Sequence, residues 1–195
     1  KKKNIDHIIL EASSHGLKQN RLDGLLFDIG IFTNLSHDHL DYHKNFKDYL
    51  NSKLYLFKNL IKNNGLIITD STIPQFKDIK IISKQKKLRL LSVFGKNSDL
   101  ELVSHKFDNE YQLLKIKYKK RILNLRLNLI GKIQIKNILM AFLAAIKSGQ
   151  DLNKVVKIVE KIKPVEGRFE KIGKLKNNSK VILDYAHTPD ALKVL

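Results

Sequence analysis

Leu25-Leu26-Phe27-Asp28-Ile29-Gly30-Ile31-Phe32-Thr33 is a nearly continuous apolar run, the pattern of a parallel strand covered on both faces. The residues just downstream decide the fold. A polar stretch, Thr33-Asn-Leu-Ser-His-Asp-His-Leu-Asp-Tyr-His43, leads into residues 45–62, where Phe46, Leu50, Lys53, Phe57 and Leu60 recur at spacings of four and three and predict an amphipathic helix. Gly65–Thr69 then reads as the next strand. A strand, a crossover helix and a second strand define a βαβ unit and an α/β fold. Upstream, Ile5–Leu10 reads as another buried strand, ending at Glu11; downstream, Ile79–Ser83 and Arg89–Phe94 read as two more.

Beyond residue 99 the pattern changes. Tyr111–Tyr118 and Arg121–Ile130 alternate around Lys119-Lys120, which predicts an antiparallel hairpin, and Lys115, Lys117 and Lys119 fall on its solvated face. Gln134–Ser148 and Leu152–Ile162 read as helices, the first closed by Gly149. Pro164 and Gly167 mark a break. After it, Lys180–Leu183 reads as a strand that leads into Asp184-Tyr-Ala-His-Thr-Pro-Asp190.

The 195 residues, 43% hydrophobic with three prolines, suffice for one medium domain and a piece of another. The absence of cysteine excludes disulfides and thiolate chemistry and is compatible with a reducing compartment. No apolar run approaches the roughly 20 residues that span a bilayer. The chain has no initiating methionine and opens almost directly on a predicted strand, so a longer parent protein is expected. Its formal charge of +18 raises the possibility of nucleic-acid binding. The distribution argues against it: residues 1–50 carry seven basic and seven acidic side chains, and the whole excess lies downstream and is dispersed. Lysine-rich composition also arises from an AT-rich genome, and a basic protein suits anionic substrates.

In open α/β sheets, ligands bind beyond the carboxyl ends of the strands. Glu11 and His39 both fall there. Lys53 sits in the apolar row of its helix, where an ammonium must be paired, deprotonated or chemically modified, or else snorkel to water. Two readings of the neighbouring motifs involve hydrolysis. His37-Asp-His39-Leu-Asp41-Tyr-His43 approaches the H-x-H-x-D-H ligand set of metallo-β-lactamase-fold hydrolases, with the last histidine one residue late. Ala12-Ser-Ser14-His-Gly16 approaches the G-x-S-x-G nucleophile elbow, with alanine for the first glycine.

A third reading takes in more residues. Glu11-Ala-Ser-Ser-His-Gly-Leu-Lys-Gln-Asn-Arg21, the Thr33–His43 stretch, Tyr49-Leu-Asn-Ser-Lys53, Gly167-Arg-Phe-Glu170 and Asp184-Tyr-Ala-His-Thr-Pro-Asp-Ala-Leu192 occur in an order that resembles the Mur ligases. Within that family they look most like the UDP-N-acetylmuramoyl-tripeptide synthetases. The resemblance covers nearly the whole chain. It implies an α/β fold with the mostly parallel sheet and antiparallel hairpin region of the central ATPase domain over residues 1–164. Residues 165–195 would begin a Rossmann-like C-terminal domain with its first strand.

The function so implied is ATP-dependent amide ligation in peptidoglycan synthesis. The third amino acid, meso-diaminopimelate or L-lysine, is added to UDP-N-acetylmuramoyl-L-alanyl-D-glutamate through an acyl phosphate. ATP is the co-substrate and magnesium (Mg2+) the cofactor, the location is the bacterial cytoplasm, and the enzyme is expected to be a monomer with no nucleic-acid or membrane partner. By similarity, Glu11, His39 and Lys53 would be metal ligands, Lys53 as a carbamate. His39, Lys53 and Arg168 would serve catalysis. His37, Asp38, Asp41 and His43 would support the ligands from the loop. Ser13, Gln19 and Arg21 would contact the UDP-muramoyl substrate, and Asn137, Arg168, Asp184 and His187 the nucleotide. One departure stands out: no G-x-x-x-x-G-K-[ST] phosphate loop occurs in these residues, so the 195-residue chain is not expected to ligate by itself. Other Mur-type ligases, the folylpolyglutamate and cyanophycin synthetases, are the nearest alternative; a metal-dependent hydrolase and a basic nucleic-acid-binding module are more distant ones.

Overall fold

A computed structural model describes residues 5–36, 41–108 and 111–193. Six strands lie side by side in chain order: β1 (Phe27–Phe32), β2 (Ile61–Asp70), β3 (Arg89–Phe94), β4 (Leu100–Asp108), β5 (Tyr111–Tyr118) and β6 (Arg121–Leu127). The pairs from β1 to β4 are parallel. Those from β4 to β6 are antiparallel, and the β5–β6 hairpin turns at Lys119 and Lys120 as the alternation predicts.

Parallel neighbours need crossovers, and helices supply them. The short helix α1 (Ser14–Lys18) precedes β1, α2 (Phe46–Asn59) joins β1 to β2, and α3 (Phe76–Gln85) joins β2 to β3. After β6 come α4 (Lys132–Lys147) and α5 (Leu152–Val159). The alternation of side chains along β2 divides the core in two. Ile67 packs with Leu54, Phe57, Ile79 and Ile82 under α2 and α3, while Leu66 and Ile68 pack with Ile135, Leu139, Phe142 and Leu143 of α4. A strand covered on both faces must be apolar at consecutive positions. β1, at the sheet edge, is less enclosed, and Ile31 is exposed.

Two predicted strands are corrected. Ile79–Ser83 lies within helix α3, because Ile79, Ile82 and Ser83 share its buried face while Ile81 points to solvent. The Ile-Lys-Ile alternation at 79–81 is too short to separate a period of two from one of 3.6. Ile5–Leu10 is not a strand: none of the described strands pairs with it, and Ile5, Ile8, Ile9 and Leu10 are exposed. Apolar sequence alone cannot make a strand without a ladder partner.

Other boundaries shift modestly. α2 begins after Asn45, whose side chain accepts from the Asp48 amide at 2.9 Å, an N-cap bond, and stops before Ile61 because that residue already pairs with Phe27. The register then jumps from Phe27↔Ile61 to Ile29↔Leu66, so residues 62–65 bulge out of the ladder. β7 (Glu170–Lys174) and β8 (Lys180–Leu183) make a separate antiparallel sheet, followed by α6 (Pro189–Leu192). The strand expected at 180–183 is present.

Candidate functional site

The Glu11–Arg21 segment is built around α1. Ser13 caps the helix, its hydroxyl accepting from the Gly16 amide at 3.1 Å. Gln19 follows the last turn and donates from Nε2 to the Tyr42 hydroxyl at 3.0 Å. His15 lies against Tyr42, with ring centroids 4.0 Å apart. Ser13, Gln19 and Arg21, the expected substrate contacts, are exposed. Glu11 is exposed too, and no hydrogen bond or ion pair engages it among the described residues.

Beneath this surface lies a buried polar chain. Ser14 and His43 are 3% and 1% exposed, and Ser14 Oγ stands 2.9 Å from His43 Nε2. His43 stacks on Tyr49 at 4.8 Å, and its Nδ1 is 3.7 Å from Asp48 Oδ2. The same oxygen accepts from Lys18 Nζ at 2.5 Å and from the Lys44 amide at 3.1 Å. Burial, reinforced by the Lys18 charge, holds His43 below the ordinary imidazole value, against the opposing pull of Asp48. The hydrogen bond from Lys18 holds the Asp48 carboxyl below its usual range. Serine, histidine and aspartate thus stand in the order of a hydrolytic triad, but the serine is sealed from solvent. His43 is enclosed by protein groups, its Nε2 taken by Ser14 and its Nδ1 buried without a hydrogen-bond partner among the described residues, which does not suit the open ligand that the hydrolase reading of the cluster needs.

Lys53 is corrected from a buried to a half-buried position on α2. Its Nζ donates to the Asn34 carbonyl at 3.2 Å and lies 5.2 Å from the centre of the Tyr49 ring. The lysine therefore reaches from the apolar face to the segment just past β1. His39, with His37 and Asp38, lies outside the described residues. Among the described residues no three His, Asp or Glu side chains converge as a metal cage.

A second constellation, at the carboxyl ends of β2 and β3, carries no sequence signal. Asp70 closes β2 and is wholly buried. Its Oδ1 accepts from the Thr72 amide and hydroxyl at 2.8 and 2.7 Å. Its Oδ2 is ion-paired with Lys136 Nζ of α4, and Lys136 also lies over the Phe94 ring. Asn137, the next residue, is exposed on the early turns of α4. The nucleotide contact expected from the sequence thus sits beside an anchored helix start.

The remaining nucleotide candidates come together elsewhere. Arg168 follows Gly167 in a turn, and its guanidinium lies 5.1 Å from the Tyr185 ring. Asp184 Oδ2 accepts from the Phe169 amide at 2.6 Å, and Oδ1 from the Ala186 amide at 2.7 Å. His187 Nδ1 lies 2.9 Å from the Tyr185 carbonyl oxygen. The pairing of β7 with β8 therefore joins the Gly167–Glu170 and Asp184–His187 motifs into one corner, in which both Asp184 oxygens already serve the backbone. No hydrogen bond joins Asn137 to that corner among the described residues.

These features meet in one family. The Mur ligase middle domain matches residues 1–145, and the chain belongs to the Mur ligase family. The UDP-N-acetylmuramoyl-L-alanyl-D-glutamate--2,6-diaminopimelate ligase of Zymomonas mobilis is 36% identical over 189 residues, 97% of this chain and 39% of the relative. Its namesake from Rickettsia montanensis is also 36% identical, over 97% of this chain and 38% of its own length. A solved structure of a ligase of the same name superposes with a TM-score of 0.77 at 27% identity, covering 93% of this chain and 37% of that one. MurF from Thermotoga maritima in complex with ADP shares the fold, with a TM-score of 0.77 at 15% identity, over 94% of this chain and 41% of its own. The chain spans about 39% of the length of the curated relatives it matches.

Proposed function

We propose that these residues form the middle domain, with the start of a following domain at 165–195, of an ATP-dependent ligase that joins an amino acid to UDP-N-acetylmuramoyl-L-alanyl-D-glutamate. The observation that carries this reading is the 36% identity to 2,6-diaminopimelate ligases across 97% of the chain. The same likeness favours meso-diaminopimelate over L-lysine as the incoming amine. The separate β7–β8 sheet after Pro164 supports the domain boundary. No described helix is long and apolar enough to cross a membrane.

The chemistry divides among three surfaces. Ser13, Gln19 and Arg21 bind the anionic UDP-linked substrate, Arg21 supplying charge and the other two hydrogen bonds. Asn137, Arg168, Asp184 and His187 take the nucleotide, where the guanidinium suits phosphate. With both oxygens bound to backbone amides, Asp184 positions the Arg168 turn first and accepts a ribose hydroxyl only through remaining lone pairs. Glu11 is an oxygen donor open to a hard cation. Lys53 as the ammonium repels one, and fits only once carbamylation converts it to an anionic oxygen ligand. Glu11, His39 and carbamylated Lys53 would hold magnesium, which when bound neutralises charge on the transferring phosphoryl group.

The test is substrate-dependent phosphate release by the full-length ligase carrying this segment, with the 195-residue chain alone expected to be inactive. Lys53→Met is expected to lower kcat at least about 100-fold, as expected when electrostatic stabilisation of the reacting group is removed, with the melting temperature held. Turnover with L-lysine but not meso-diaminopimelate would overturn the choice of amine, and an unimpaired Lys53→Met enzyme would overturn the role of the lysine.

A further inference from the structure

Helix α1 spans only Ser14–Lys18, far below the length at which a helix holds itself together in water. Yet Ser13, Gln19 and Arg21 all take their positions from it. Its shape must come from tertiary ties, and these occur at both ends. At the first residue Ser14 Oγ meets the buried His43 Nε2 at 2.9 Å; at the last, Lys18 Nζ meets Asp48 Oδ2 at 2.5 Å. His43 and Asp48 are themselves neighbours, Nδ1 to Oδ2 at 3.7 Å. The four side chains therefore form a circuit across α1, closed between His43 and Asp48 by an electrostatic contact rather than a hydrogen bond. Tyr42 adds a parallel tie through His15 and Gln19.

The chemistry fixes the direction of the circuit. A carboxylate facing Nδ1 favours the tautomer protonated there, which leaves the Nε2 lone pair to accept the Ser14 hydroxyl proton. Asp48 is tied in turn by Lys18 and the Lys44 amide. None of these groups needs to reach substrate, and Ser14 and His43 cannot, being 3% and 1% exposed.

We propose that Ser14, His43, Asp48 and Lys18 form a positioning clasp that holds α1 in the shape that receives the UDP-linked substrate, with no contact between the buried Ser14–His43 pair and that substrate. The clasp rests on the ligase reading, and its test separates the two. In the full-length ligase, the double variant Ser14→Ala/His43→Phe removes both buried partners while keeping a ring against Tyr49, an exchange that is close to neutral for stability when both polar groups leave together. Expected are a rise of about tenfold in KM for UDP-N-acetylmuramoyl-L-alanyl-D-glutamate, with kcat and the KM for ATP each within about threefold, the signature of lost ground-state binding. The amides of Leu17 and Gln19, which donate to Ser13 and His15, should exchange faster by a similar factor. His43→Gln, which keeps a hydrogen-bonding group toward Ser14, should recover most of the KM.

Unchanged substrate KM and unchanged amide exchange in a folded double variant would overturn the clasp. So would a fall in kcat with KM unmoved. If the double variant does not fold, Lys18→Met opens the exposed end alone; a KM rise of about threefold supports the clasp, on the same reading of lost binding, and none overturns it. A wild-type enzyme without substrate-dependent phosphate release overturns the ligase reading instead, and the α1 exchange rates then decide whether the clasp orders the helix.

Discussion

His43 shows how a residue type can be legible while its role is not. Three histidines within seven residues of sequence read as a metal site, since spacing reports which groups are available and not which way they point. Burial against Tyr49 and the bond to Ser14 decide the matter, and both depend on α1 folding back over residues 42–48. The Asp70–Lys136 pair is a stronger case, for its partners lie 66 positions apart and neither belongs to a motif. Titration makes the His43 environment measurable. Burial and Lys18 hold its folded value below the ordinary 6.5, so the unfolded chain binds that proton more readily. Stability is then full above about pH 6.5 and declines as the pH falls through that value, levelling off once the folded group is also protonated. In thermal unfolding from pH 8 to 5, the wild type should lose stability more steeply than His43→Gln, and the two curves should converge toward acid. Parallel curves would show that His43 is not the group responsible. Asp48, also lowered, acts in a separate window, losing its contribution as the pH falls below about 3.8.

At the scale of elements, periodicity succeeded where the pattern was long and failed where it was short. The alternation at 111–118 became a strand because it spans enough residues to exclude the helical period, and the apolar run at 25–33 did so because its length suits a buried strand rather than a helix. Residues 79–83 do not, and the half-buried Phe76, which extends the inward face of the helix by a turn, lies outside that window. Strand β7 gave no signal: Glu170-Lys-Ile-Gly-Lys174 has one large apolar side chain, and its order comes from pairing with β8. The bulge in β2 was equally silent, but Gly65 marks it. A Cβ there would lie 2.5 Å from Ile61 Cγ2, 2.8 Å from the Lys62 carbonyl oxygen and 3.2 Å from that of Asp28. Two of these neighbours are backbone and cannot rotate away. Gly65→Ala should therefore destabilise by about 1–3 kcal/mol through overpacking. Gly173→Ala, with nothing within 4 Å of the added carbon, should unfold within about 0.5 kcal/mol of wild type, as surface changes do. Denaturant titration of both variants checks the contrast, and equal midpoints would mean that the bulge is free to relax.

For the whole molecule, the dominant quantity is charge. Thirty-seven lysines and arginines face nineteen acids, and the excess is dispersed over outward positions such as Lys115 and Lys117 on β5 and Lys119 in the turn after it. Dispersed like charge opposes the compact state by self-repulsion. Salt should relieve that repulsion, because most of these groups are solvent-exposed and the Debye length shrinks from about 20 Å to about 6 Å between roughly 20 and 300 mM. The opposing effect is small. Exposed attractive pairs such as Lys62–Asp28, at 2.8 Å, are screened as well but contribute little individually, and the buried Asp70 carboxylate is shielded from the change. The melting temperature should accordingly rise by a few degrees across that range, a shift of about 1 kcal/mol in a domain of this size. A fall would mean that attractive pairs outweigh the net repulsion, and that the positive charge is arranged in local compensation with the nineteen acids.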